Sequence, residues 1–316
     1  MLLEFDLFLH GDPMTSAPVN LMSLVDKYST DEHCREALKH LRFPNGVKCL
    51  KCQSENVAPV SDRKVYVCYS CRYQFSVTVG TIFHDSHLPL TKWFFVTYLM
   101  TESRKGISAN QVKRMLGISY KTAWYLCHRI RAAMTEAEHK MTGTVEVDET
   151  YIGGKRKGKG HRDKLVNKTA VIGIRERDGH LHFVKADQVN QGTVYDIIAR
   201  NVDTTVDVIM TDESKLYNFG MTQYRGKHKS VNHSADEYVR YEKGMCVTTN
   251  SVESAFSLFK RGIVGAWHKV SAKHLPAYLQ EMTFRFNNRK NQYLFRDTLI
   301  RLLASENLEY KELIAA

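Results

Sequence analysis

TVEVDETYI, residues 144–152, is the stretch from which the fold is read. Val145, Val147, Thr150 and Tyr151 are residues that favour a pleated, half-buried surface, so the segment is expected to be a strand. Downstream, TAVIGIRER (169–177) and LHFVKA (181–186) have the same character and are separated by Asp178-Gly179, a turn pair that predicts a hairpin. GTVYDIIARNV (192–202) has the spacing of an amphipathic helix, and VDVIMTD (206–212) is a short apolar strand ending in a carboxylate. Residues 250–261 and 272–288 again have helical spacing. Strands first, then strands alternating with helices, predict a mixed α/β domain over residues 143–290.

Three acids stand at the ends of these segments: Asp148 within the first strand, Asp212 closing a later one, and Glu253 opening a helix in TTNSVESAFSLFKRG. Oxygen ligands suit hard divalent ions. Two Mg²⁺ held about 3.5–4 Å apart serve phosphoryl transfer. Each acid also has a plainer reading. Asp148-Glu149 makes an exposed acidic pair, Asp212 a cap for a helix beginning at Glu213, and Asn250-x-x-Glu253 a variant capping box. Glu146 and Glu149 flank Asp148, and the pattern alone does not choose between them. Strand alternation puts Glu146 and Asp148 on one face and Glu149 on the other.

Towards the N-terminus, CLKCQSENVAPVSDRKVYVCYSC (49–71) holds four of the seven cysteines as two Cys-x-x-Cys pairs. Each pair presents two sulfurs together, and the intervening segment is long enough for a hairpin. Cys49, Cys52, Cys68 and Cys71 are therefore expected to bind a structural Zn²⁺, with no open position for chemistry. Cys34, Cys127 and Cys246 are read as small core residues. Between the two regions lies RKGISANQVKRMLGISYKTAWYLCHRIRAAM (104–134), two helices about a Gly-Ile-Ser turn. This is the pattern of a helix-turn-helix. Residues 104–135 contain seven Lys or Arg and no Asp or Glu, whereas solvated faces ordinarily mix signs. Lys113, Arg114, Lys121, Arg129 and Arg131 are the expected DNA contacts, and Trp124, Tyr125 and Leu126 the expected core.

The whole chain of 316 residues carries 45 Lys plus Arg against 34 Asp plus Glu, a net charge of +11. That balance favours a polyanionic partner. No apolar run approaches the roughly 18 residues that span a bilayer, and MLLEFDLFLHGDP lacks the basic start of a signal peptide. A cytoplasmic location is expected, where clustered thiols bind metal rather than pair. Five regions result: a helical lead-in (1–45), a zinc ribbon (46–80), a helix-turn-helix domain (85–140), the α/β domain (143–290) and a helical tail (291–316).

This order resembles the insertion-sequence transposases that carry an N-terminal zinc ribbon, a helix-turn-helix and an RNase H-like domain with an Asp-Asp-Glu triad. The resemblance is carried by LRFPNGVKCLKC (41–52), VEVDETYIGGK (145–155), VIMTDES (208–214) and TNSVESAFSLFKRGIVGAWHKVSAKHLPAYLQEMTFRFNNRK (249–290). It implies an RNase H-like mixed sheet with flanking helices. It implies that Asp148, Asp212 and Glu253 are catalytic and bind Mg²⁺ or Mn²⁺, selecting Asp148 over Glu146 and Glu149. It further implies cleavage and strand transfer on double-stranded DNA, at element ends and at a target, by a homodimer or larger assembly at a bacterial nucleoid. Lys260 and Arg261, two turns beyond Glu253, and Lys155, Arg156, Lys157 and Lys159 of the glycine-flanked loop are expected at phosphates. His268 is read as structural or phosphate-binding. The competing functions are a non-catalytic DNA-binding regulator and an RNase H-like nuclease that cuts without joining.

Overall fold

The computed structural model describes residues 18–60, 63–153, 168–217, 222–232, 235 and 237–315. The chain divides into two compact units. The first comprises the residues up to Ser103, Ile107–Met134, and the residues from Lys290 on.

The first unit opens with helices α1 (Leu21–Lys27) and α2 (Asp31–Arg42). A three-stranded antiparallel sheet follows, β1 (Val57–Val60), β2 (Val65–Cys68) and β3 (Gln74–Phe75). Next come α3 (Leu90–Glu102), α4 (Ala109–Leu116) and α5 (Tyr120–Ala133), and the chain returns with α9 (Leu294–Ala304) and α10 (Tyr310–Ile314). Local sequence explains the α4–α5 turn. Ser108 accepts the Gln111 N–H at 3.0 Å and Ser119 accepts the Thr122 N–H at 3.0 Å, as capping side chains do. Gly117 ends α4 in the left-handed region at φ +61°, which favours glycine. Phe295 of α9 packs edge-on against Phe94 and Tyr98 of α3, with ring centroids 5.9 Å away in each case.

The second unit comprises Arg104–Gly106 and Thr135–Arg289. Its sheet contains β4 (Thr144–Ile152), β5 (Thr169–Glu176), β6 (Leu181–Ala186), β7 (Val208–Asp212) and β8 (His228–Val231), in the order β6-β5-β4-β7-β8. The β4–β5 and β5–β6 pairs are antiparallel, and β4–β7 and β7–β8 are parallel. Helix α6 (Gln191–Asn201) packs on one face over Val145, Val147, Ile172 and Ile174. Helices α7 (Asn250–Gly262) and α8 (Leu275–Asn287) cover the other, through Val171, Phe183, Val252, Phe256 and Leu279. A small hairpin, β9 (Arg240–Glu242) and β10 (Met245–Val247), precedes α7. The expected mixed α/β architecture with flanking helices is thus present.

Two features of this unit bring α7 to the sheet. Gly173 of β5 lies directly across from Asp148 of β4. A Cβ there would stand 2.6 Å from Phe256 Cζ and 2.9 Å from Val252 Cγ2. Only a residue without a side chain admits the helix at this separation. In addition, β4 pairs with β7 only from Thr144 to Glu146. Beyond that pairing both strands run on, β4 to Ile152 and β7 to Asp212. Asp148 and Asp212 therefore lie at the carboxyl end of a parallel pair, where α/β sheets usually bind ligands.

Candidate functional site

Asp148, Glu149 and Asp212 each offer a carboxylate oxygen, and these atoms all lie within 4.8 Å of one another. Glu253 is outside that set but lines a cleft together with Asp148 and Glu149. The cleft measures about 540 Å³ and is bounded by Asp148, Glu149, Thr150, Glu253, Phe256 and Ser257, with Lys260, Arg261 and Val264 along α7 and the turn after it. Glu253, Ser257 and Lys260 recur at helical spacing, so one stripe of α7 carries both an acid and a cation into the cleft.

Each acid is held differently. Asp148 Oδ1 accepts the Glu149 N–H at 2.8 Å. Burial, helped by the charges of Glu149, Asp212 and Glu253, pushes its carboxyl up to about 7 against that hydrogen bond. Asp212 Oδ1 accepts the Ser214 N–H at 3.1 Å, closing the turn after β7. Glu149 points to the α6 face, where the buried Tyr217 hydroxyl donates to its Oε2 at 2.5 Å. Burial, and next the charge of Asp212, raises the Glu149 carboxyl too, opposed by the Tyr217 hydroxyl. Glu253 Oε1 accepts from the Thr249 hydroxyl at 2.9 Å, so Asn250 does not act as the cap of a capping box. Crowded, partly buried carboxylates repel one another when ionised, and a divalent cation among them removes that repulsion. The all-oxygen donor set fits a hard cation.

Glu149 is the acid that sequence reasoning passed over. Alternation separates it from Asp148, but past Glu146 β4 has no β7 neighbour, and at that open edge carboxylates from both faces of the strand come within 4.8 Å of Asp212. The doubled acid of Asp148-Glu149 was its signal. Glu146, the other flanking acid, is fully buried and faces the start of α7 rather than the cleft.

The second ligand group is Cys49, Cys52, Cys68 and Cys71, whose sulfurs likewise lie within 4.8 Å of one another. The two pairs are built alike. The Gln53 N–H donates to the Cys49 carbonyl at 2.9 Å, and the Arg72 N–H to the Cys68 carbonyl at 2.8 Å. Gln53 and Arg72 both take positive φ, 60° and 62°. Each turn thereby aims two sulfurs at a common centre, the geometry of a tetrahedral zinc site. Phe75 supplies most of the small core beneath, with Tyr66 and Tyr73 stacked on it at 5.8 Å each.

The expected DNA contacts separate on inspection. Lys113, Arg114 and Lys121 are exposed on α4 and the first turn of α5. Lys260 and Arg261 are exposed at the cleft. Arg129 and Arg131 are corrections, being only 4% and 2% exposed. Arg129 Nη2 donates to the carbonyls of Ile82 and His84 and to Asn307 Oδ1. Its guanidinium also lies 4.9 Å from the Trp93 ring centroid. It joins segments of the first unit and has no face for a phosphate. Lys155, Arg156, Lys157 and Lys159 lie outside the described residues. His268 is exposed, after a π-helical turn (Ile263–Trp267), and does not line the cleft.

No helix among the described residues is long and apolar enough to cross a membrane. Comparison with known families matches residues 140–287 to the ISXO2-like transposase domain and residues 29–74 to the transposase zinc-ribbon domain. Among curated proteins, the chain is similar to the "Uncharacterized protein in transposable element ISH50" of Halobacterium salinarum. The two are 26% identical over 282 residues, covering 84% of this chain and 93% of that protein.

Proposed function

We propose that the chain is an insertion-sequence transposase that cuts and joins DNA at the ends of its element, a reading supported by its similarity to a transposase domain over residues 140–287 and to a transposase zinc ribbon over residues 29–74. The observation that carries this reading is the convergence of Asp148, Glu149 and Asp212 at one end of the sheet, with Glu253 of α7 lining a cleft beside Asp148 and Glu149. Asp148, Asp212 and Glu253 are the metal ligands in this reading, and Glu149, oriented by Tyr217, stands beside them. When bound, Mg²⁺ or Mn²⁺ would neutralise charge on the reacting phosphate and activate the attacking oxygen.

The chain's own residues have separate tasks. The carboxylates fix where the scissile phosphate sits. Lys260 and Arg261 hold flanking phosphates at the rim of the cleft. Lys113, Arg114 and Lys121 bind the terminal inverted repeat through helices α4 and α5. The Zn²⁺ held by the four cysteines keeps the ribbon folded. Water first attacks the phosphodiester at the element end, and the freed 3′-hydroxyl then attacks target DNA. Phosphorus inverts at each step, and no side chain becomes covalently bound to DNA. Joining requires two ends together, so a homodimer or larger assembly on double-stranded DNA is part of the proposal.

The test uses labelled DNA carrying the terminal repeats, incubated with Mg²⁺ or Mn²⁺ and either the intact protein or Asp148→Ala. Nicks at the repeat ends and joined products, both absent with Asp148→Ala although binding persists, support the transposase. Binding without cleavage in either protein identifies a regulator. Cleavage without joining identifies a nuclease.

A further inference from the structure

The structure assigns Glu146 a positioning role: from β4 it caps the helix that carries Glu253, and so sets that acid against Asp148. The role rests on the proposed carboxylate site. The N-cap residue of α7, Thr249, makes no capping bond, its hydroxyl donating to Glu253, and the Thr248 hydroxyl accepts only the Asn250 N–H, at 3.2 Å. The N–H groups of its first turn nevertheless need acceptors. Glu146 Oε2 supplies one, accepting the Ser251 N–H at 2.8 Å, the Val252 N–H at 3.1 Å and the Ser251 hydroxyl at 2.5 Å. Its other oxygen, Oε1, accepts from Arg177 Nε at 3.2 Å and Nη2 at 2.9 Å. Arg177 is in turn held by the Cys246 carbonyl at 3.0 Å, just before α7 begins.

A carboxylate with 0% exposure is tolerable only with such complete pairing. Its negative charge also lies at the positive end of the helix. The result is one rigid link. Glu146 is two residues before Asp148 on β4, and its partners Ser251 and Val252 immediately precede Glu253 on α7. The distance between the two proposed ligands is therefore fixed by an acid that touches neither cation nor DNA.

The experiment compares the full chain with Glu146→Gln, Glu146→Ala and Ser251→Ala. It reads Mn²⁺ affinity by the loss of the free-ion paramagnetic resonance signal, and amide exchange along α7. Losing a residue that orients ligands weakens metal binding by about 10- to 100-fold, and Glu146→Ala is expected in that range. Glu146→Gln should fall between it and the native protein, because an amide can accept on one side only. Ser251→Ala, which keeps the buried charge paired, should shift affinity least while remaining folded. The Ser251 and Val252 amides should lose protection in both Glu146 variants, and those near Phe259 should keep it. Unchanged Mn²⁺ affinity in the folded variants would overturn the role, even if their thermal stability dropped. A native protein that binds Mn²⁺ no better than Asp148→Ala overturns the carboxylate-site reading itself, and that comparison tells the two failures apart.

Discussion

Asp148 is half-buried, and that burial, with the charges of Glu149, Asp212 and Glu253, raises its carboxyl. Replacing it with Asn keeps the shape and the hydrogen bond from Glu149 but removes one charge from the crowd. Such sites trade stability for activity. We expect Asp148→Asn to raise Tm in chelator by roughly 2–4 °C, the shift that about 1 kcal/mol gives in a unit of this size, while cleavage is lost. Calorimetry without divalent cations checks this, and a fall in Tm would contradict it. The arginines make the opposite point. Arg129 bonds three neutral acceptors and packs on Trp93, so Arg129→Ala should destabilise the first unit by about 1–3 kcal/mol, the cost of leaving buried acceptors unsatisfied. Lys113→Ala should leave stability unchanged, and Lys121→Ala should cost at most about 0.5–1 kcal/mol, its Nζ lying 4.3 Å from the Tyr310 ring centroid. Each should instead reduce the slope of log affinity for DNA against log salt by about 1. Denaturation and binding titrations at several salt concentrations separate the two kinds of cation.

At the level of elements, close approach and metal do what composition alone does not. Gly173 allows Val252 and Phe256 to lie on β5 opposite Asp148. A methyl there overpacks the interface, so Gly173→Ala is expected to lower stability by about 1–3 kcal/mol and to weaken Mn²⁺ binding by displacing α7. The ribbon has too small a core to hold without its ion. Cys49→Ser should abolish zinc binding and unfold the ribbon, with zinc content and circular dichroism as the readouts. These elements were legible in the sequence to different degrees. The two Cys-x-x-Cys pairs and the strand ending in Asp212 were visible because spacing and apolar runs are local signals. Glu149 and Glu146 were not separable from Asp148, because their roles depend on where β7 leaves β4 and where α7 docks. Arg129 and Arg131 counted as exposed cations because a charge tally carries no information on burial.

For the whole molecule, the sequence order of ribbon, paired basic helices and α/β domain already pointed to a protein that acts on DNA. One family match falls on the ribbon and the other on the α/β domain, and the relative belongs to a transposable element. What one chain's sequence did not convey is that the segment from Lys290 on belongs to the same compact unit as the N-terminal helices. Contacts this far apart in sequence leave no local pattern. Chemistry in the carboxylate cleft is put to the test by Glu253→Gln. Labelled DNA bearing the terminal repeats is incubated with the native and variant proteins in Mn²⁺, and cut and joined strands are counted. Both products are expected with the native protein and neither with Glu253→Gln, although the variant still binds the repeats. Equal cleavage by the two proteins would contradict this and remove Glu253 from the site.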